Sequence, residues 1–301
     1  MPLIPTYCGA VNAWESDAMG HMNVQFYMGK SMEAMGHLRH ALGLAPDRIR
    51  ARGLTLVPGE DRIRYRRELR AGDIFHMASG VRGLRDGGID THTELRNIET
   101  GEIAATIDRR LSALDLASGE FLPLPDDLAG AAGRLAEATA ADCPPWPAAQ
   151  GWAAPAFDHP GTTETYRGTF NNWEVDEFGY ASPRFHVDRF SAALVQLLAR
   201  LGFSPENRPE PHWGLAALDH HVRYHAVLRA GALLGVRSGI LEIRDKVFRI
   251  FHHMEAGASG RPATSIEIVL AMFDLERRRA MPVPDQVRTR AEALLPTGPA
   301  G

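Results

Sequence analysis

Apolar and polar positions recur along this chain at two different spacings. Between 24 and 42, Met28, Ser31, Met35, Leu38 and Leu42 fall at steps of three and four, so they share one face of a helix. Asn23 stands where that helix needs an N-cap, and Gly43 where it must end. Before it, "TYCGAVNAW" is a short β-prone run; after it, segments near 55–69, 74–85, 89–98 and 103–115 read as strands punctuated by glycine. One strand, one long helix and then an antiparallel meander predict an α+β unit, a curved sheet wrapped around a single helix.

The whole pattern then returns. "WESDAMGHMN" at 14–23 comes back as "WEVDEFGYAS" at 173–182, a shift of 159 from Trp14 to Trp173. The same shift lays "RYRRELRAGD" on "RYHAVLRAGA", "SGVRGLRD" on "SGILEIRD" and "PLPDDL" on "PVPDQV". Roughly 30 identities over about 118 ungapped positions mark a duplicated domain rather than a solenoid. The second helix face is Val187, Phe190, Leu194, Leu197 and Leu201, entered through Ser182-Pro183 and closed by Gly202. The stretch between the copies is rich in Pro, Ala and Gly. We therefore expect a first domain at 1–128, a linker at 129–161, a second domain at 162–285 and a loose tail at 286–301.

The motif Asp17-x-x-Gly20-His21-x-Asn23 at the turn into the helix, set in this element order and duplicated, resembles the hotdog-fold thioesterases. The likeness is to their 4-hydroxybenzoyl-CoA thioesterase-like and acyl-ACP thioesterase-like branches, and it covers nearly the whole chain apart from linker and tail. It implies a tandem hotdog that builds internally the pair other members form from two chains. The implied substrate is an acyl thioester of coenzyme A or acyl carrier protein, hydrolysed without metal or other cofactor. Hotdog pairs often associate further through their sheets, so a homo-oligomer of tandem hotdogs is one assembly the likeness allows.

The family's catalytic acid maps onto Asp17 and, in the second copy, Asp176. A thioester carbonyl needs a nucleophile, or a base that activates water, and donors for the developing oxyanion. Asp17 supplies the first. Backbone amides around Gly20, Met22 and Asn23, with Gly179 in the second copy, are the expected donors, since helix ends hold free N–H groups. His21 matches the G-H-x-N branch, where it polarises the carbonyl or orients water. Tyr180 replaces it in the second copy and Ser182 replaces Asn23, so the full set belongs to the first. Asn23 reads more readily as a helix cap than as a catalytic group, since Ser182 is another good cap. Trp14 and Trp173 are expected to pack beneath the loops.

Other features carry less. Glu33 and His37 share a helix face and form a secondary candidate, absent from the second copy, where Ala192 and Gln196 stand. At strand spacing, Arg62, Arg64, Arg66 and Arg70 project to one side; Arg64 and Arg66 could meet the phosphates of coenzyme A, or the row is a solvated edge. "DHHVRYH" at 219–225 suggests a metal site, but adjacent strand residues face opposite ways and the first copy has "EDRIRYR" there. No metal is expected.

A formal net charge of -4 with 45% hydrophobic residues gives no basic excess for nucleic acid. The N-terminus lacks the pattern of a secretory signal, no apolar run nears the ~18 residues of a membrane helix, and Cys8 and Cys143 form no framework. A cytoplasmic protein without nucleic-acid or membrane partners is expected. Two rival readings stay open: a hotdog-fold enoyl-CoA hydratase or dehydratase, and a non-catalytic acyl-CoA-binding protein.

Overall fold

The fold comes from a computed structural model, and the structure describes residues 3–17, 19–147, 157, 161–203, 213–257 and 260–295. The chain divides into two compact units near residue 150. In the first, β1 (Ile4–Ala10) runs through a single 3-10 turn (Ala13–Glu15) into α1 (Val24–Ala41). A short α2 (Pro46–Arg52) precedes β2 (Leu54–Tyr65), β3 (Ile74–Arg85), β4 (Gly88–Asn97) and β5 (Ile103–Asp115). These strands lie in the order β1-β3-β4-β5-β2, and each neighbouring pair is antiparallel. A two-residue β6 (Phe121–Leu122) pairs antiparallel with the end of β5, and α3 (Asp126–Thr139) follows.

The helix face read from the sequence is the one that is buried: Met28, Ser31, Met35, Leu38 and Leu42 are all covered. Tyr27 and Ala34 join Phe75, Met77 and Leu95 in an apolar core between helix and sheet. Each fully buried side chain of this size contributes about 1.5–3 kcal/mol. Gly43 ends α1 with φ at 84°, a left-handed conformation that suits a residue without Cβ.

The second unit repeats the first. It consists of β7 (Thr163–Thr169), α4 (Pro183–Arg200), β8 (Trp213–Tyr224), β9 (Leu233–Ile243), β10 (Val247–Ala256) and β11 (Arg261–Asp274), followed by β12 (Arg279–Ala280) and α5 (Asp285–Glu292). Its strand order, β7-β9-β10-β11-β8, is that of the first unit, and Phe190 and Leu197 of α4 pack on Val236, Ile250 and Ile266. The starts of α1 and α4, Val24 and Pro183, differ by the same shift of 159. Each unit is thus the helix-in-sheet fold expected.

The structure differs from the sequence reading at the edges of the units. The expected linker is helical at its start, because α3 continues past 128 to Thr139. Alanine-rich sequence reads as flexible beside proline and glycine, yet alanine is the best helix former. The helix is docked: Leu128 and Ala132 are buried, and Thr139 Oγ1 both donates to the Val81 carbonyl and accepts from its amide, each at 2.9 Å. In the expected tail, α5 repeats the start of α3. Residues 148–156, 158–160 and 296–301 of the linker and tail lie outside the described residues. No helix among the described residues is long and apolar enough to cross a membrane.

Candidate active site

The motif loop of the first unit folds around Asp17. Its backbone amide donates to the His21 carbonyl at 2.7 Å, and the Gly20 amide returns to the Asp17 carbonyl at 3.0 Å. The carboxylate's Oδ1 accepts from the amides of Met19 (2.8 Å) and His21 (3.2 Å). Oδ2 makes no hydrogen bond among the described residues, and the residue is half-buried. Gly20 takes φ 78° to close the turn. The Asn23 side chain accepts from the Gln25 amide at 3.1 Å, so Asn23 acts here as the cap of α1.

The expected oxyanion donors need correction. The amides of Gly20, His21, Met22 and Asn23 are all taken up, by Asp17 O, Asp17 Oδ1, Leu69 O and Glu15 O respectively. The loop's own closure uses the donors that an isolated helix end would leave open. Val24, at the first helical position, is the next amide along, and it has no acceptor among the described residues.

Glu15, which the sequence reading left without a role, is the anchor of this loop. It is buried; Oε2 accepts from the Asn12 amide at 2.8 Å and Oε1 pairs with Lys30 of α1 at 3.1 Å. Burial works against the Lys30 charge, but bonds to Tyr7 and Glu15 hold its ammonium above the usual lysine range. The second unit builds the same anchor from Glu174, the Asn171 amide (2.7 Å) and Arg189 (2.6 Å). The signal was present: the acid repeats and both partners are basic at one helix register.

The second loop keeps the backbone turn and changes the side chains. Asp176 Oδ1 accepts from Phe178 and Tyr180 amides at 2.9 and 3.0 Å, and Gly179 has φ 83°. Tyr180 turns its hydroxyl to Arg229 Nη2 at 2.7 Å, with the guanidinium 4.3 Å from the ring centroid. In the first unit the buried His21 instead sets Nε2 3.1 Å from Glu68 Oε2. Tyr27 lies beneath the first loop, hydrogen-bonded to the Leu69 backbone. Burial first, and the nearby Asp17 charge after it, push its phenol well above the usual range. Its counterpart is His186, whose Nδ1 meets Thr264 Oγ1 at 2.9 Å and which burial pushes down to about 4.

Several expected residues are not brought to the loop. Glu33 and His37 are on the exposed face of α1, about 15 and 21 Å along the axis from Asn23. The row of four arginines breaks because β2 ends at Tyr65. Arg64 bonds the buried Asp108 at 3.0 Å, while Arg66 is exposed and its amide turns to the Ala104 carbonyl. Burial would raise the Asp108 carboxyl, but bonds from His92 and Arg82 bring it below its usual range. Trp14 and Trp173 do not pack under the loops: they are 74% and 76% exposed, since the 3-10 turn directs the neighbouring glutamate inward instead. His220 is buried and pushed down to about 3 by desolvation, while His221 lies opposite Glu267 in the strand pairing. Among the described residues no three His, Cys, Asp or Glu side chains are arranged to hold a metal.

Two copies of one helix-in-sheet unit, each with an aspartate turn at the helix entrance, define the hotdog class. The chain belongs to the thioesterase-like superfamily, whose family model matches residues 11–132 and again 171–291. Its chemistry is thioester hydrolysis. The betainyl-CoA thioesterase of Pseudomonas aeruginosa is 29% identical over 120 residues, covering 40% of this chain and 76% of that protein. Solved structures share the fold over most of the chain. A Lactobacillus plantarum protein provisionally named an oleoyl thioesterase gives a TM-score of 0.68 at 13% identity, over 92% of this chain and 96% of its own. An acyl-ACP thioesterase from Bacteroides thetaiotaomicron gives 0.64 at 10% identity, over 88% and 96%.

Proposed function

We propose that the first unit hydrolyses acyl thioesters, with coenzyme A as the thiol carrier and Asp17 as the group that attacks the carbonyl or takes the proton of the attacking water. The observation that carries this is the Asp17 carboxylate itself: two amides fix Oδ1, and Oδ2 is left without a bond among the described residues. A base held at one oxygen and presented at the other is pre-oriented for an incoming water. The Val24 amide, at the positive end of α1, is the donor we assign to the oxyanion. The relative named for betainyl-CoA supports coenzyme A over a carrier protein. Asp176 keeps the turn but has Tyr180 where the first loop has His21, so we assign the second loop little or no turnover.

Thiol release from a panel of acyl-CoA and acyl-carrier-protein thioesters tests this. Asp17→Asn is expected to lose about 10²–10⁴-fold in kcat, the usual worth of a positioned base, and Asp176→Asn to retain most activity. The reverse ranking would move the working site to the second unit. Hydration of 2-enoyl-CoA without thiol release would replace hydrolysis by the hydratase reading. Thioester binding without either reaction would leave a binding protein.

A further inference from the structure

Tyr27 stands one turn into α1, three residues past the Val24 amide assigned to the oxyanion. A helical side chain leans back toward the N-terminus, and three residues of helix rise only about 4.5 Å, so a tyrosine here carries its hydroxyl to the level of the helix end. The ring is fixed: it is 4% exposed and meets Tyr65 edge to face, with centroids 5.2 Å apart. Its hydroxyl accepts from the Leu69 amide, while the Leu69 carbonyl accepts from the Met22 amide at 2.7 Å, so one residue ties the phenol to the motif loop. Asp17 lies close enough for its charge to act on the phenol. A phenol that accepts one bond still has its O–H to give, and this one has no acceptor among the described residues.

The second copy uses the same place differently. Its residue is His186, set against Tyr224 at 5.7 Å as Tyr27 is set against Tyr65. The imidazole is spent inside the fold, with Nδ1 2.9 Å from Thr264 Oγ1 and a further bond to the Ala181 backbone. The first copy has Ala105 at the position of Thr264, which offers no side-chain acceptor.

From this unspent donor at the helix end, and resting on the thioesterase reading above, we infer that Tyr27 is a catalytic residue that donates its O–H to the oxyanion beside the Val24 amide. On the water route, the attacking oxygen bonds the carbonyl carbon, its proton passes to Asp17, and the carbonyl oxygen takes the electron pair. Tyr27 and Val24 each donate a hydrogen bond to that oxygen. The pair then returns, the C–S bond breaks and the thiolate takes the proton from Asp17, so thioester and water give acid and thiol. Tyr27 keeps its proton throughout, because burial and the Asp17 charge hold the phenol well above its usual range. A neutral buried donor strengthens its bond as charge develops on the acceptor, which favours the transition state over the bound ester.

Tyr27→Phe tests this, since it removes only the hydroxyl; the ring still packs on Tyr65, so the variant is expected to fold. On the best acyl-CoA substrate it is expected to lower kcat about 10²–10³-fold with KM little changed. Two coenzyme A analogues give a readout apart from turnover: a thioether that lacks the carbonyl, and a trifluoromethyl ketone, which hydrates to a tetrahedral carbon. Tyr27→Phe is expected to bind the thioether as wild type does, and the ketone more weakly by about the factor lost in kcat/KM. Unchanged binding of both analogues with kcat near that of wild type would overturn the role of Tyr27 while leaving hydrolysis standing. Equal weakening of both would overturn it too, since Tyr27 would then only shape the loop through Leu69. Failure of wild type to release thiol from every substrate would overturn both readings.

Discussion

Arg109 and Asp61 are an ion pair almost wholly buried beneath α1, and Arg109 also donates to Ser31 Oγ at 3.1 Å and to the Met28 thioether at 3.3 Å. At the positions of Arg109, Asp61 and Ser31 the second unit has Ile268, His220 and Phe190, so the fold itself does not require the charges. Taking away one partner leaves the other buried without this counter-charge. Arg109→Met is therefore expected to cost about 3–5 kcal/mol, whereas Arg109→Met with Asp61→Leu is expected to be near neutral or stabilising. Urea midpoints of the three proteins decide it; equal losses in single and double variants would mean that charge compensation is not what the pair supplies. Residues differ in how legible they were beforehand. Asp17 and Gly20 stood out because the loop is short and repeats them as Asp176 and Gly179, and Asn23 because it stands just before a helical run. Glu68 did not, because its partner is remote in sequence and no local spacing links a strand-end acid to a loop histidine.

Elements were more legible than contacts. The long strands and both principal helices follow from apolar alternation and helical spacing, which burial on one face imposes. α3 was hidden because its composition matches that of a linker; besides its buried Leu128 and Ala132, one polar side chain ties it to the sheet. β1 pairs with β3 only as far as Ser79, and two residues on the Thr139 hydroxyl meets the Val81 amide and carbonyl in place of a strand. Thr139→Val keeps the shape and removes both bonds, leaving a buried amide unsatisfied. A loss of about 1–3 kcal/mol is expected from denaturant unfolding, together with faster amide exchange at Val81. Unchanged exchange there would mean α3 is held by its apolar face alone. The arginine row failed as an element for a related reason: alternation holds only while the chain stays in the sheet, and it leaves at Arg66.

At the scale of the whole molecule, acid sensitivity is unevenly distributed. His186, His220 and His252, all in the second unit, are pushed by burial from 6.5 to about 4, 3 and 3. A histidine neutral when folded and free to protonate when unfolded contributes fully above pH 6.5, and its contribution is lost as pH falls toward the folded value. Three such rings give a slope of up to about 4 kcal/mol per pH unit. The urea midpoint is expected to fall between pH 7 and 5.5, before carboxylates titrate appreciably; a flat profile over that range would mean the rings are not held neutral. The duplication shapes one further property. Trp14 and Trp173 stand out in solvent beside the two aspartate turns, one per copy. Exposed indoles emit as in water and shift toward the blue when something covers them, so the chain has an optical probe at each loop without any label.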